Sequence, residues 1–175
     1  MSAIGTEKQR IRKQLLMNRN SHARPQDFSS QLGQLIESQS GLIASYSATD
    51  TEPETKSINK LLSSQKKLVL PEISGSNLIW RIPETLVPGP HGIKTPIGPK
   101  VELDQVSLVL APALAVDSKG FRLGKGGGYY DRALQGFAGL VYALVFESEY
   151  LESLPIENHD VKIHGVITEK TVRTF

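Results

Sequence analysis

The sequence contains no cysteine, and this absence removes several kinds of chemistry. A chain without thiols forms no disulfide, uses no thiolate nucleophile and holds no cysteine-ligated zinc. The sequence also has no apolar run close to the roughly 20 residues that a helix needs to cross a bilayer. The first residues are charged where a signal peptide would have its apolar stretch. We therefore expect a cytoplasmic protein that does not insert into membranes.

A strong net charge is also lacking. Twenty Lys and Arg against 18 Asp and Glu leave a formal charge of +2, too little to predict binding to nucleic acid from overall electrostatics. The 175 residues, 39% of them hydrophobic, are enough for one domain with a real core, whereas two domains would be cramped. We expect residues 1–175 to form a single domain and the protein to be a monomer.

Apolar runs of strand length alternate with helical patterns, which is typical of an α/β domain. Helices are predicted from about Thr6 to Asn20, after Pro25, and near Glu54–Ser63. The predicted strands are 41–47, 67–70, 78–82, 106–111, 140–146 and 163–168. The runs at 106–111 and 140–146 are apolar at nearly every position, as strands buried on both faces require. The predicted fold is a three-layer α/β domain with a largely parallel sheet flanked by helices.

One segment departs from this alternation. Residues 83–100 include five prolines and three glycines, a composition that predicts an irregular surface loop. A loop of this length is often part of a functional site or its lid.

The glycine-rich stretch that follows the strand at 106–111 carries the clearest chemical signal. Gly124, Gly126, Gly127 and Gly128 lack Cβ atoms, so their backbone amides can approach an anion closely. The stretch runs into a short predicted helix, whose N-terminus would add unpaired N–H groups. Arg122 and Lys125 supply full positive charges beside it. These residues predict an oxyanion site, best suited to a polyphosphate.

The common phosphate-binding motifs do not fit this stretch. A Walker A loop needs four residues between its first glycine and the Gly-Lys pair, whereas Gly120 and Gly124 enclose three. The dinucleotide fingerprint fails because its third glycine would fall on Tyr129. A flexible glycine hairpin without a ligand is the structural alternative.

The segment from Gly120 through Gly-Lys-Gly-Gly-Gly-Tyr-Tyr-Asp to Arg132 resembles the signature of the 5-formyltetrahydrofolate cyclo-ligase family. The resemblance extends over nearly the whole chain, although only this stretch is highly specific. It implies ATP- and Mg²⁺-dependent conversion of 5-formyltetrahydrofolate, possibly polyglutamylated, to 5,10-methenyltetrahydrofolate, with release of ADP and phosphate. The γ-phosphoryl group would pass to the formyl oxygen, and N10 would then attack the activated carbon.

The resemblance also assigns residues to the nucleotide site. Arg122 and Lys125 would be the catalytic pair that stabilises charge on the transferring phosphoryl group. The residues that would contact ATP are Lys8, Arg10, Arg12, Arg122, Leu123, Gly124, Lys125, Gly126, Gly127, Gly128, Tyr129 and Tyr130. In a helix, Lys8 and Arg12 share one face and could reach the same phosphate chain. The structural alternative for them is a solvated charged face.

For the folate, the resemblance places Ser47 at the end of a strand and Glu52 against the pterin ring. A carboxylate can accept two hydrogen bonds from an aminopyrimidine edge. The alternative is that Glu52 is an exposed residue favouring a helix N-terminus. Glu54 competes for the folate role, because the local alignment needs a gap of one residue.

Magnesium would be held, by the same resemblance, by Asp131 and Asp160. Asp131 has an alternative role as an acidic residue in the first turn of a helix. His159 is expected to be a surface histidine. The sequence departs from the family at Glu72, where a basic residue is usual, and at Thr95, which replaces an acid.

Two other functions are compatible with the residues. A phosphosugar isomerase or transferase could use the same glycine turn for a monophosphate. A non-catalytic relative could bind RNA or a regulatory partner through the basic first helix.

Overall fold

A computed structural model describes residues 3–21 and 28–175 of the chain. Within them the α-helices are α1 (Ala3–Ser21), α2 (Ser29–Glu37), α3 (Lys56–Ser64) and α4 (Tyr129–Ala133). The strands are β1 (Leu42–Ala44), β2 (Leu68–Ser74), β3 (Asn77–Arg81), β4 (Thr85–Pro88), β5 (Lys94–Ile97), β6 (Lys100–Val101), β7 (Val106–Pro112), β8 (Ala115–Asp117), β9 (Arg122–Leu123), β10 (Leu140–Leu144), β11 (Tyr150–Leu151), β12 (Gly165–Ile167) and β13 (Val172–Thr174). Pro25, after which the second helix is predicted, lies outside the described residues.

The main sheet has eight strands in the order β13-β12-β10-β7-β1-β2-β3-β6. Its five central strands, from β12 to β2, are parallel. The strands at its two edges, β13 on one side and β3 with β6 on the other, run antiparallel. The prediction of an α/β fold with a largely parallel sheet is confirmed, and the edges make that sheet mixed.

The two faces of the sheet bury different side chains because successive residues of a strand point to opposite sides. One face carries mainly leucine and isoleucine and packs against Leu32 and Ile36 of α2 and Ile58 and Leu62 of α3. The other carries mainly valine and alanine and packs against side chains in and around α4 and the strand β8. The sheet is therefore covered on both sides, in the predicted three layers.

A second, three-stranded sheet of order β11-β8-β9 lies beside the main sheet and was not predicted. It forms the platform for α1. Leu15 of that helix is buried in a cluster with Leu114 and Leu123, and Ile11 and Leu16 pack against the same cluster. Ile11, Leu15 and Leu16 form the inward face of the first helix, which packs on the small sheet.

The prediction that residues 83–100 form an irregular loop is wrong. β4 and β5 pair in antiparallel register within this segment, and β6 joins the edge of the main sheet. A two-stranded ribbon has a free edge along each strand, so Pro88 and Pro96 can be accommodated although proline donates no backbone hydrogen bond. The side chains of Leu86, Val87 and Ile97 are exposed on this ribbon.

The remaining boundaries shift by a few residues. The strand predicted at 41–47 is only three residues long, and the chain after Ala44 belongs to a loop that is important for the site. None of the helices in the described parts of the chain combines the length and the apolar composition needed to cross a bilayer.

Candidate active site

A crevice is expected at the carboxyl ends of β1 and β7, because the chain changes direction across the sheet there. From β1 it proceeds to β2 on one side, and it returns later to place β7 on the other side. Ligands of open α/β sheets bind outside the carboxyl ends of strands at such a switch point. The loop after β1 carries Ser47 and Glu52, and the segment after β7 leads to the glycine-rich stretch.

The segment after β7 first forms a hairpin from β8 and β9. The turn between them is held by the buried Asp117, whose Oδ1 accepts hydrogen bonds from the backbone N–H groups of Lys119 and Phe121. Its Oδ2 accepts a third, from the N–H of Leu154. The hairpin returns the chain at Arg122, so the glycine-rich stretch begins at a fixed position.

The glycine loop, residues 124–128, needs its glycines for backbone conformation at two positions. Gly126 has φ +108° and Gly128 has φ +66°, values that side chains with a Cβ rarely adopt. The helix that follows, α4, is only five residues long. The predicted short helix is confirmed, its N-terminal dipole is small, and the positive charge at the loop comes mainly from side chains.

Arg122 is the buried cation of the loop. Its Nη2 donates a 2.8 Å hydrogen bond to Asp131 Oδ1, and its side chain is only 3% exposed. Burial lowers the pKa of Arg122 below that of an ordinary arginine, and the negative charges of Asp131 and Asp160 oppose this shift. Its Nε is buried without a hydrogen-bond partner among the described residues, so it remains available to an acceptor from a ligand.

Lys125 of the glycine loop and Glu52 of the loop after β1 form an ion pair. The Nζ of Lys125 lies 2.7 Å from Glu52 Oε1, while the second carboxylate oxygen accepts hydrogen bonds from the N–H and the hydroxyl of Thr49. Burial alone would raise the pKa of Glu52. The hydrogen bonds from Lys125 and Thr49 outweigh that effect, and the net shift is downward. Glu52 is therefore a buried, ionised carboxylate at neutral pH.

The alternative interpretation of Glu52 as an exposed residue at a helix start is wrong, because Glu52 is buried; the half-buried Glu54 is the glutamate next to the helix start. The Glu54 carboxylate accepts from the backbone N–H of Lys56, the first residue of α3. Glu52 is 8% exposed and faces Lys125. The structure thus gives the two competing glutamates different environments.

The loop carrying Glu52 is held by Tyr46. The buried Tyr46 hydroxyl donates to the carbonyl of Pro53, and the Tyr46 carbonyl accepts from Thr55 and Asn59. Burial raises the pKa of Tyr46 well above its ordinary value, so the phenol stays neutral. Ser47 follows directly, half-buried at the carboxyl end of β1.

Helix α1 brings two of its three predicted nucleotide-site residues to this region. Lys8 is buried and forms ion pairs of 2.5 Å with Asp160 and 2.9 Å with Glu157. Arg12 donates from Nε to the carbonyl of Gly124 in the glycine loop. Arg10 instead forms an exposed ion pair with Glu7 of its own helix, so it lies apart from these contacts.

The two predicted magnesium ligands both lie next to cations. Asp131 pairs with Arg122 and Asp160 with Lys8, and both carboxylates act on the charge of Arg122. One oxygen of each has no hydrogen-bond partner within residues 3–21 and 28–175. Carboxylate oxygens are the ligands that Mg²⁺ prefers, usually one or two per ion. The two carboxylates are suitable ligands for the ion, provided that their ion pairs with Lys8 and Arg122 weaken when it binds.

Asp160 belongs to a group with Glu157 and His159, whose possible ligand atoms all lie within 4.8 Å of one another. His159 is 71% exposed, in agreement with its predicted surface position. The single Lys8 ammonium is shared between the two carboxylates of this group.

The remaining predicted residues have distinct environments. Leu123 is buried in the cluster beneath α1, so its side chain belongs to the core. The Tyr129 ring lies under the guanidinium of Arg132, 5.3 Å away. The Tyr130 ring lies 5.6 Å from the guanidinium carbon of Arg122, and burial raises the pKa of Tyr130. Its hydroxyl oxygen is buried without a partner in the described part of the chain.

Two arginines near the site were missed by sequence reasoning. Arg132 donates to the carbonyls of Gly127 and Ser76 and so ties the glycine loop to the turn between β2 and β3. Arg19 forms a buried bidentate ion pair with Glu149, with distances of 2.6 and 2.7 Å, that anchors the end of α1. No sequence signal connects Arg19 with a partner 130 residues away.

Of the two departures from the family pattern, Glu72 has a clear partner. Its carboxylate lies 2.5 Å from Nε of Arg81 on the neighbouring strand β3. Thr95 lies in β5, opposite Val87 of β4.

Comparison with known proteins agrees with this architecture. Residues 4–169 match the 5-formyltetrahydrofolate cyclo-ligase family. A protein of that name from Haemophilus influenzae is 28% identical, and the match covers 94% of this chain and 95% of the relative. One from Mycolicibacterium smegmatis is 41% identical over 93 residues, which are 50% of this chain and 48% of the relative.

The solved structure of Aquifex aeolicus 5,10-methenyltetrahydrofolate synthetase superposes with a TM-score of 0.82 at 28% identity, covering 95% of this chain and 92% of that one. A 5,10-methenyltetrahydrofolate synthetase from Mycoplasma pneumoniae shares the fold, with a TM-score of 0.72 at 18% identity over 93% of this chain and 99% of its own. On the evidence of a match over almost its whole length, the chain belongs to the 5-formyltetrahydrofolate cyclo-ligase family.

Proposed function

We propose that this protein closes the ring of 5-formyltetrahydrofolate to give 5,10-methenyltetrahydrofolate, with ATP as phosphoryl donor and Mg²⁺ as cofactor. The observation that carries the proposal is the ion pair between Lys125 of the glycine loop and Glu52 of the loop after β1. It places a loop suited to phosphate beside a buried carboxylate suited to an aminopyrimidine, as a two-substrate reaction requires.

The nucleotide side of the site would be formed by the glycine loop and the cations around it. Arg122 presents a buried N–H group without a partner in the described residues, and Arg12 holds the loop through the Gly124 carbonyl. Lys125, 44% exposed, can turn towards a phosphate at little cost. Fixed positive groups of this kind stabilise charge that spreads over a transferring phosphoryl group.

The folate side would be centred on Glu52. Its carboxylate is held in place by Thr49 and stays ionised, because the downward shift of its pKa persists despite burial. Ser47 lies at the same end of β1. The half-buried Glu54 already accepts a hydrogen bond from the first residue of α3, which favours Glu52 as the pterin contact.

Magnesium would be bound by Asp131 and Asp160 together with phosphate oxygens. When bound, the ion would neutralise charge on the phosphates. Asp131 and Asp160 would hold it, beside Arg122 and Lys8, the cations with which they form ion pairs. Phosphorylation of the formyl oxygen creates a phosphate leaving group, which departs after N10 has attacked the carbon. The reaction needs positioning and charge neutralisation more than a protein nucleophile.

We also propose that residues 1–175 act as one domain and as a cytoplasmic monomer on small molecules, without nucleic acid. The main sheet supports the single domain, because its strands come from residues 42 to 174.

The test is an absorbance assay of methenyl formation from 5-formyltetrahydrofolate with ATP and Mg²⁺, with ADP and phosphate measured in parallel. We expect turnover only when all three are present, with one ADP per product. Turnover without ATP, or none under any condition with folded protein, contradicts the proposal. Binding of a phosphosugar or of RNA by the inactive protein would then favour one of the two alternative functions.

A further inference from the structure

The hydroxyl of Tyr130 is a buried donor that lacks an acceptor. The ring lies at the start of α4, where it packs edge-on against Trp80 with centroids 6.1 Å apart. The ring is half-buried, but its hydroxyl oxygen is fully buried and has no hydrogen-bond partner in residues 3–21 and 28–175. Buried polar groups in native proteins are nearly always paired, so this one needs an explanation.

A second unpaired donor lies beside it. Nε of Arg122 is also buried without a partner in the described part of the chain, and the guanidinium carbon of this residue is 5.6 Å from the centre of the Tyr130 ring. Arginine can only donate, and a neutral phenol has one hydrogen to donate. Two unpaired donors on neighbouring side chains are best satisfied by a group that is rich in lone pairs, such as a phosphate or a developing oxyanion.

The position of Tyr130 places these donors between the two halves of the site. The next residue in the chain, Asp131, is bonded to Arg122 on the phosphate side. On the other side, the charge of Glu52 acts on the Tyr130 phenol, as does that of Arg122. Glu52 in turn touches Lys125 of the glycine loop. A ligand oxygen that contacts Tyr130 would therefore lie where the two substrates meet.

We propose that Tyr130 is a catalytic residue whose hydroxyl donates a hydrogen bond to an oxyanion of the reacting group, at the junction of the phosphate and folate sites. The inference rests on the proposed function and adds a specific role for this side chain. The oxygen belongs either to the formyl group or to the transferred phosphoryl group, which become joined during the reaction. The hydrogen bond from Tyr130 becomes stronger as negative charge develops on the oxygen. It therefore lowers the activation barrier more than it increases the affinity for the substrates.

The decisive variant is Tyr130→Phe, which removes the hydroxyl and keeps the ring. We expect the melting temperature to be unchanged or higher, because no hydrogen bond within the described protein is lost and an unpaired polar atom is removed. We expect kcat to fall about 100-fold, the lower end of the range for loss of one oxyanion donor. If the ring alone matters, by stacking on a substrate, Tyr130→Phe should retain full activity.

The matched control is Tyr142→Phe. The Tyr142 hydroxyl is paired with Oγ1 of Thr174 at 3.2 Å on the far side of the sheet, between β10 and β13. Its removal should lower the melting temperature and leave kcat unchanged. The two tyrosines should thus show opposite patterns in stability and activity.

Calorimetric binding separates the two sources of the oxyanion. If the hydroxyl already touches the phosphate chain, Tyr130→Phe weakens binding of a non-hydrolysable ATP analogue and spares 5-formyltetrahydrofolate. If it touches the formyl oxygen, the folate is weakened and the analogue is spared. A folded Tyr130→Phe protein with wild-type kcat would overturn the proposal, whatever its affinities. Absence of turnover in the wild-type protein would instead overturn the proposed function.

Discussion

Lys125 and Glu52 neutralise each other between two loops of the site, with 2.7 Å between the ammonium nitrogen and a carboxylate oxygen. Each is also the residue expected to contact one of the two substrates. Neither side chain can bind its substrate fully without weakening this ion pair. The pair therefore links the two halves of the site.

Replacement of Glu52 by glutamine should separate the two substrates in binding experiments. Affinity for 5-formyltetrahydrofolate should fall strongly, because an amide cannot accept both ring hydrogens. Affinity for an ATP analogue should rise about two- to fivefold, since Lys125 is released from a partly exposed pair of modest strength. In a protein that already carries Lys125→Met, Glu52→Gln should not change the affinity for the ATP analogue.

The control for this experiment is Glu54→Gln, which alters the glutamate at the start of α3. It should leave both affinities near the wild-type values. If Glu54→Gln lowers the affinity for 5-formyltetrahydrofolate and Glu52→Gln does not, the pterin contact belongs to Glu54.

The ionisation of Glu52 should also be visible in the pH dependence of stability. The pKa of Glu52 is lower in the folded protein than in an unfolded chain, owing to Lys125 and Thr49. Its contribution is therefore complete above the ordinary glutamate pKa and is lost as the pH falls through the lowered value. Urea unfolding of wild type and Glu52→Gln from pH 7 to pH 3 should show a difference that shrinks at the acid end. A difference independent of pH would contradict this assignment.

Removal of Arg122 should act chiefly on ATP. Arg122→Ala should raise KM for ATP about 10- to 100-fold, which corresponds to loss of a charge-assisted hydrogen bond worth about 1.5–3 kcal/mol. The variant leaves Asp131 without its partner and should also be less stable, so circular dichroism must confirm folding at the assay temperature. Arg173→Ala, which breaks an ion pair with Glu147 at the edge of the sheet, should leave KM for ATP unchanged. Unaltered ATP kinetics in folded Arg122→Ala would exclude the phosphate clamp.

Asp131→Asn and Asp160→Asn should each raise the Mg²⁺ concentration needed for half-maximal turnover. If both bind one ion, the losses in the double variant should be less than the sum of the single losses. Asp104→Asn changes an exposed acidic residue outside the site and should not shift the titration. Superimposable magnesium titrations for the wild type and both single variants would disprove the metal assignment and leave the phosphate site standing.

The backbone of the glycine loop can be tested with two alanine substitutions. Gly126→Ala and Gly136→Ala both place a side chain at positive φ, which costs about 1–2 kcal/mol. An added methyl group at Gly126 would face the Arg12 guanidinium at 3.6 Å, whereas at Gly136 it would meet open space. We therefore expect similar losses of stability and a raised KM for ATP only in Gly126→Ala. Equal kinetic effects would show that the loop conformation is not specific to nucleotide binding.

The sequence predicted those features that depend on local composition. The strands at 106–111 and 140–146 were evident because a fully buried strand is apolar throughout. The glycine loop was evident from its own residues. The ribbon of β4 and β5 was missed because its prolines are typical of loops, and because its pairing depends on a partner strand.

Pairings between distant residues could not be read from the sequence. Nothing near Lys8 indicates that its partners would be Glu157 and Asp160. Similarly, Glu52 and Glu54 look alike in the sequence, and only the folded loop buries one and leaves the other at a helix start. The site residues were predicted as separate groups, and tertiary structure supplies their contacts.

The contacts of α1 have a consequence for the order of folding. Lys8 meets Asp160 across 152 positions, Arg19 meets Glu149 across 130 and Arg12 meets Gly124 across 112. Contacts between such distant positions form slowly, and a domain made during translation receives its N-terminal residues first. Helix α1 must therefore wait for partners that are synthesised 112 to 152 positions later, and a nascent chain has no complete phosphate site until Asp160 has been synthesised.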